Sequence, residues 1–317
     1  MAKVIVTGAS GFIGGQTALE LHDSGHEVVG IDMVNPSKSL STAFSHFIND
    51  DFAGNEALEW IYKSDTDAII HCAGTSLVGP SVTNPAVYYE NNFVKTKHFV
   101  EHIITTQRPI RFIFSSSSSV YGEPVMIPCR EEDPPLPLSP YGESKYMIEM
   151  MLNAYAQAYN LNVVMLRYFN VCGADPQARH GQKSGATHIV ARVLESLKDE
   201  KPFTLFGNDY PTTDGTCVRD QVHVQDVARL HLQAIKSEFV PAIYNVCATG
   251  GSSNREIIEA AERITGRKLD LQEQARRAGD PSRLIGSADR LRQQGWEPQH
   301  NLDAMIQHAW NWYNNGL

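Results

Sequence analysis

VIVTGASGFIGG, residues 4–15, is the stretch whose reading decides the fold. Val4, Ile5 and Val6 form a short apolar run that reads as a buried parallel strand, and Gly8, Gly11 and Gly14 follow before a helical pattern from Gln16 to Ser24. Strand, glycine turn and helix in that order make an anion cradle. Backbone N–H groups at the helix N-terminus reach a pyrophosphate only where no side chain holds the main chain away. A glycine triplet alone is a weak signal. Here Gly25 closes the helix, and a second strand, Glu27 to Ile31, ends at Asp32. A carboxylate at that strand end accepts hydrogen bonds from an adenosine ribose and repels a 2′-phosphate, and Met33 supplies no cation to reverse the choice. NAD is therefore the expected cofactor, rather than NADP. The alternative is a glycine turn in an unrelated α/β protein beside an incidental aspartate, and it has to explain all these features in register.

Composition sets the outer bounds. At 317 residues the chain is longer than most single domains, so two lobes are expected. A net charge of -9 with no lysine- and arginine-rich run argues against nucleic acid and anionic membranes as partners. The first strand starts within a few residues of Met1, which leaves no room for a signal peptide, and no apolar run approaches the ~18 residues of a membrane span. A cytoplasmic protein is expected. Five scattered cysteines show no CxxC spacing and read as reduced core thiols; twelve histidines show no ligand spacing, so no metal is expected.

The rest of the chain extends the opening pattern into a Rossmann-type doubly wound parallel sheet of the α/β class. Strands are expected at Phe44 to Ile48, Asp67 to Gly74 and from Arg111, with helices from Asn55 to Lys63 and, as one long element, after Pro85. Residues just past strand ends face the cofactor crevice in such a sheet, so Asp51, Phe52, Ala73 and Gly74 are candidates to line adenine and pyrophosphate. Asn92, in the helix after Pro85, is more polar than a core position wants and can be read as simply exposed. Six prolines between Pro124 and Pro140 exclude regular structure there. Ser139 is then a good N-cap and Pro140 fits the first helical position. A strand follows at LNVVMLRYFN, then helices from Ala186, from Asp226, from Ser253 to Thr265 and from Asn301. The expected division is a NAD-binding domain over 1–168, joined by some later segments, and a smaller α/β substrate-binding lobe over 169–317.

Tyr141 and Lys145 stand four apart in the opening turns of the helix after Ser139, which puts a phenol and an ammonium on one face. A phenol with a reference pKa of about 10 is a poor base at neutral pH, but an adjacent ammonium and a positive nicotinamide ring both favour the phenolate. Tyrosine then serves as a general base, lysine holds ribose hydroxyls, and a serine from the preceding strand end relays the substrate proton. By itself Tyr-x-x-x-Lys arises often by chance in helices. The glycine loop, Asp32 and the Ser-rich strand end make that reading a minor one here.

TGASGFIGG, SSSSSVYG and YGESK together resemble the extended short-chain dehydrogenase/reductase superfamily of nucleotide-sugar enzymes, and RYFNVCGAD with FGNDYPTTDGTCVRDQVHVQDVA is similar to its UDP-hexose 4-epimerase branch. The resemblance implies Ser117, Tyr141 and Lys145 as the catalytic set. It implies Gly8, Gly11, Phe12, Ile13, Gly14 and Asp32 around NAD, together with Asp51, Phe52, Ala73, Gly74, Asn92, Ser115 and Tyr168. Asn170, Arg219, Arg277 and Asp280 match the UDP anchors, and Phe206 is a candidate to stack near uracil. Two arginines neutralise a diphosphate through forked, charge-assisted bonds, while Asp280 takes ribose hydroxyls. The implied activity is NAD-dependent C4 epimerisation of a UDP-hexose through a transient 4-keto sugar.

Ser76, Thr187 and His188 depart from residues common in that branch, and Leu284 stands where some members carry tyrosine, which leaves room for a C2 acetamido group and keeps UDP-N-acetylglucosamine or UDP-glucuronate open as substrates. A 4,6-dehydratase needs two further acid–base groups, and its usual Asp-Glu pair is Ser118-Ser119 here. An NAD-binding regulator without activity usually loses the tyrosine and lysine that this chain keeps. Apolar residues on several faces of the helices after Pro85 and Ser139 suggest a homodimer.

Overall fold

Seven strands form the main sheet, in the order Ile243–Val246, Asn162–Tyr168, Arg111–Ser117, Ala68–His71, Lys3–Thr7, Glu27–Ile31, His46–Ile48. The computed structural model describes residues 1–248, 250–276 and 281–315. Lys3–Thr7 pairs in parallel with both Glu27–Ile31 and Ala68–His71, and the pairings at Val29↔His46 and Ala68↔Arg111 extend the same direction. Sequence order reverses on either side of the first strand, so the strand ends around it open toward the crevice of a doubly wound sheet. These strands read as continuous apolar runs because helices cover both faces: Ile5, Val29, Ile69, Phe112 and Leu152 are buried together in one core.

The described residues fall into two compact units. One comprises Met1–Gly122, Pro134–Arg167 and Ala228–Tyr244; the other comprises Glu123–Asp133, Tyr168–Val227 and the described residues from Asn245 onward. The second unit has its own core, where the helices Ile189–Asp199, Asn254–Thr265 and Leu302–Asn315 bury Leu194, Ile257 and Ile306. Asn254–Thr265 starts at a capping box in which Ser253 Oγ accepts from Glu256 N and the Glu256 carboxylate accepts from Ser253 N, a motif whose serine cap stabilises by about 1 kcal/mol.

Element boundaries depart from the sequence pattern where local chemistry intervenes. The first helix is Phe12–Asp23 and begins four residues before Gln16, since Gly14 and Gly15 are built into its first turn. The third strand is only His46–Ile48. LNVVMLRYFN divides into Asn162–Tyr168 and a separate strand, Asn170–Cys172, which pairs with Gln221–His223. The long helix expected after Pro85 is three pieces: Pro85–Tyr88, a π-helical turn Tyr89–Val94, and Lys95–Thr105. Asn92 lies in that π turn, and it is 2% exposed instead of facing solvent. π turns of this kind cluster at functional sites.

Candidate active site

Gly8 and Gly14 show why the opening loop demands glycine. Gly8 has φ +66, and a Cβ there would stand 2.8 Å from Ala73 N; one on Gly14 would lie 2.2 Å from the Gly8 carbonyl oxygen. The loop is thus packed main chain against main chain, and Gly11 begins the helix without a capping side chain. Phe12 and Ile13, both half-buried, are the first two helical residues. Asp32, just past Glu27–Ile31, faces this loop: its carboxylate accepts from Ser10 N at 3.0 Å and from Val34 N at 2.9 Å. The glycine cradle and the acid sit side by side, as a dinucleotide's pyrophosphate and ribose require.

The neighbouring strand ends bring in the next residues. Asp51 Oδ2 pairs with Lys95 Nζ at 2.6 Å, and Phe52 packs edge-on against the buried His71 ring, 4.7 Å between centroids. Ala73 N donates to Thr7 Oγ1. Gly74 has φ +148, and a Cβ on it would come within 2.9 Å of Asn92 Oδ1 and 3.9 Å of Lys145 Nζ, so a side chain there would fill the space between them. Asn92 Oδ1 accepts from Thr75 N at 2.7 Å, while Nδ2 donates to the Thr75 carbonyl and to Ser144 Oγ, both at 3.0 Å. Thr75 and Ser144 are contacts that no sequence pattern marked.

Ser139 Oγ caps the helix Pro140–Tyr159 by accepting from Gly142 N, and the helix carries Tyr141 and Lys145 to the end of Arg111–Ser117. At Gly142 a Cβ would meet the Ser119 carbonyl oxygen at 2.5 Å, so the helix touches the turn after Ser117 backbone to backbone. Lys145 Nζ donates to the Ser115 carbonyl at 2.8 Å and stands 6.0 Å from the Tyr141 ring centroid. Burial pulls the Lys145 pKa down to about 8, against the opposing influence of Cys72 and Glu149. It remains largely an ammonium at neutral pH. The Tyr141 hydroxyl lies among buried groups, although the residue keeps a partly exposed edge; burial raises its pKa most, and its hydrogen bond with Ser117 lowers it. In the protein alone burial is the larger influence, and the Ser117 hydroxyl is the neighbour that favours the phenolate. Ser117 Oγ also accepts from Ser119 N at 3.1 Å, which fixes its rotamer at the start of a 3-10 turn.

In the second unit Tyr168 is 6% exposed at the close of its strand. Asn170 opens Asn170–Cys172 opposite Gln221, and Arg219 lies on Val218–Arg219, opposite Leu284 in the parallel pairing with Arg283–Leu284. The Arg219 guanidinium donates to the Val218 carbonyl at 2.9 Å. Phe206 is half-buried at the end of Phe203–Phe206, opposite Gln274. Arg277 and Asp280 lie outside the described residues.

A parallel sheet with a glycine cradle, a strand-end acid and a Ser/Tyr/Lys cluster defines a nucleotide-binding oxidoreductase-type fold. Residues 4–247 match the NAD dependent epimerase/dehydratase family, and the chain belongs to that family. It is 38% identical to the UDP-glucose 4-epimerase of Halalkalibacterium halodurans over 98% of this chain and 95% of that protein. It is similar to the crystal structure of UDP-glucose 4-epimerase from Brucella ovis in complex with NAD (TM-score 0.93, 35% identity, 100% of this chain and 99% of that one). The UDP-Glc/GlcNAc 4-epimerase of Campylobacter jejuni is also similar (TM-score 0.85, 33% identity, 99% of each chain).

Proposed function

We propose that this chain catalyses NAD-dependent C4 epimerisation of a UDP-hexose, UDP-glucose and UDP-galactose being the substrate pair. The observation that carries the reading is the Ser117–Tyr141–Lys145 arrangement beside the glycine cradle. Gly8, Gly14 and Asp32 fit a dinucleotide, since the space and the carboxylate stand where its phosphates and ribose belong. NAD, when bound, supplies a hydride acceptor and donor at C4 of the sugar. Tyr141 takes the proton of the 4-hydroxyl, Ser117 holds the same oxygen, and Lys145 orients the nicotinamide ribose while its charge favours the phenolate. Asn170, Phe206 and Arg219 hold the UDP half, with Arg277 and Asp280 assigned to the same task. Anchoring through UDP leaves the 4-keto hexose free to turn and present its other face. Ser118 and Ser119 offer no carboxylate for expelling a 6-hydroxyl, which favours epimerisation over dehydration.

Incubation with UDP-glucose, followed by NMR, tests this. UDP-galactose is the expected product; a 4-keto-6-deoxy sugar or an unchanged substrate overturns the proposal. Tyr141→Phe should lower turnover ~10²–10⁴-fold while UDP binding survives. Leu284, beside Arg219 in its sheet, favours acceptance of a C2 acetamido group as well, and turnover of UDP-N-acetylglucosamine checks it. The exposed Val78, Val82, Val87 and Met150 lie on the helices Val78–Thr83, Pro85–Tyr88 and Pro140–Tyr159 and support a homodimer, which light scattering would resolve from a monomer. A cytoplasmic setting agrees with five cysteines that form no disulfide and, among the described residues, no helix long and apolar enough to cross a membrane.

A further inference from the structure

His223, His300 and His308 stand far apart in sequence, yet one ring nitrogen of each lies within 4.8 Å of the others. No ligand spacing announces this cluster. Its hydrogen bonds fix the tautomers. Gln225 N donates to His223 Nδ1 at 2.9 Å, so His223 Nε2 carries the proton and donates it to His308 Nδ1, 3.0 Å away. His300 Nδ1 faces Asp226 Oδ1 at 2.9 Å, while Asp226 Oδ2 accepts the backbone N–H groups of Gln299 and His300. The His300 proton therefore sits on Nδ1, and Nε2 is its basic nitrogen. A carboxylate behind a histidine in this way raises ligand basicity and sets ring orientation in metal sites.

We propose that these three histidines bind one divalent transition cation of the Zn²⁺ or Ni²⁺ type, a site separate from the proposed epimerase chemistry. Tetrahedral nitrogen ligands at ~2.0–2.1 Å from zinc stand roughly 3.3–3.4 Å apart, only slightly wider than the present His223–His308 separation. The proton between those nitrogens occupies the place the ion takes, so it must pass through water to His223 Nδ1 before Nε2 can ligate, with no net proton released from the neutral ring. Gly173 leaves the ligating edge of His223 uncovered, since a Cβ there would lie 2.6 Å from Nε2. Two rearrangements oppose binding. His223 must shift its single ring proton to Nδ1 at the expense of the Gln225 bond, and the His300 ring, stacked on His223 at 4.1 Å, must turn to aim Nε2. Affinity should thus be weaker than in a preformed structural zinc site. An all-imidazole set disfavours Mg²⁺ and Ca²⁺.

The test uses the full chain, stripped with chelator and desalted, then titrated with Co²⁺ and separately with Zn²⁺. The expected result is one equivalent per chain, a visible absorption band for cobalt, and affinity at least tenfold lower in His308→Ala and in His300→Gln. No bound metal in the parent protein, or unchanged affinity in both variants, overturns the proposal. Melting without metal verifies that each variant folds, and either one decides alone if the other does not.

Discussion

Glu149 and Arg167 form a pair whose removal should be severe, and whose joint replacement should not. Their side chains are 1% and 2% exposed. Arg167 Nη2 donates to Glu149 Oε2 at 2.7 Å and Nε donates to Oε1 at 3.0 Å; Nη1 donates to the Tyr121 hydroxyl at 2.8 Å. The Ser116 hydroxyl donates to the same carboxylate. Burial alone lowers the Arg167 pKa, but the carboxylate more than offsets it, so the guanidinium stays charged. Glu149→Ala leaves that charge buried without its partner, which costs about 3–5 kcal/mol. At roughly 2–4 °C per kcal/mol for a unit of this size, Tm should fall by about 6–20 °C. Glu149→Met with Arg167→Met removes both charges and fills the volume, and should recover most of the loss. Thermal melts of the parent, both single variants and the double variant measure the coupling directly. If the double variant loses the sum of the single losses, the pair is not an electrostatic unit and the reasoning is wrong.

Asn92→Leu should cost about 1–3 kcal/mol, because it takes the acceptor from the half-buried Thr75 N–H and removes the partner of buried Ser144 while keeping similar volume; a melting point within a degree of the parent contradicts this. Burial holds His71 and His231 neutral, with pKa values of about 3, whereas the unfolded chain titrates them near 6.5. Between those values only the unfolded form takes up the proton, so stability should decline as pH falls below about 6.5, by up to ~1.4 kcal/mol per pH unit for each histidine. Denaturation midpoints at neutral pH and at about pH 5 check the sign, and a midpoint independent of pH rejects it.

What the sequence disclosed was mostly backbone. Gly8 and Gly14 could be read because close main-chain approach permits no other residue, and the helix Asn55–Lys63 ends where its apolar spacing ends. Tyr141 and Lys145 were visible because a helix converts a spacing of four into one face. The burial of Asn92 was not legible, since a π turn shifts its phase and periodicity assumes a uniform helix. The burial around Tyr141 is hidden for a different reason: it is a sum over neighbours distant in sequence, and no local pattern carries it. The Glu149–Arg167 pair and the three histidines share that obscurity, each being assembled by the topology of strands and helices rather than by spacing.

The missing side chain at Gly142 bears on how this chemistry could be moved elsewhere. With peptide units in close approach there, the course of the main chain sets how near the helix that carries the phenol comes to the serine turn. A host scaffold given the tyrosine, lysine and serine, but with alanine in place of this glycine, would have to part the helix from the serine turn, since the added carbon would stand 2.5 Å from a carbonyl oxygen.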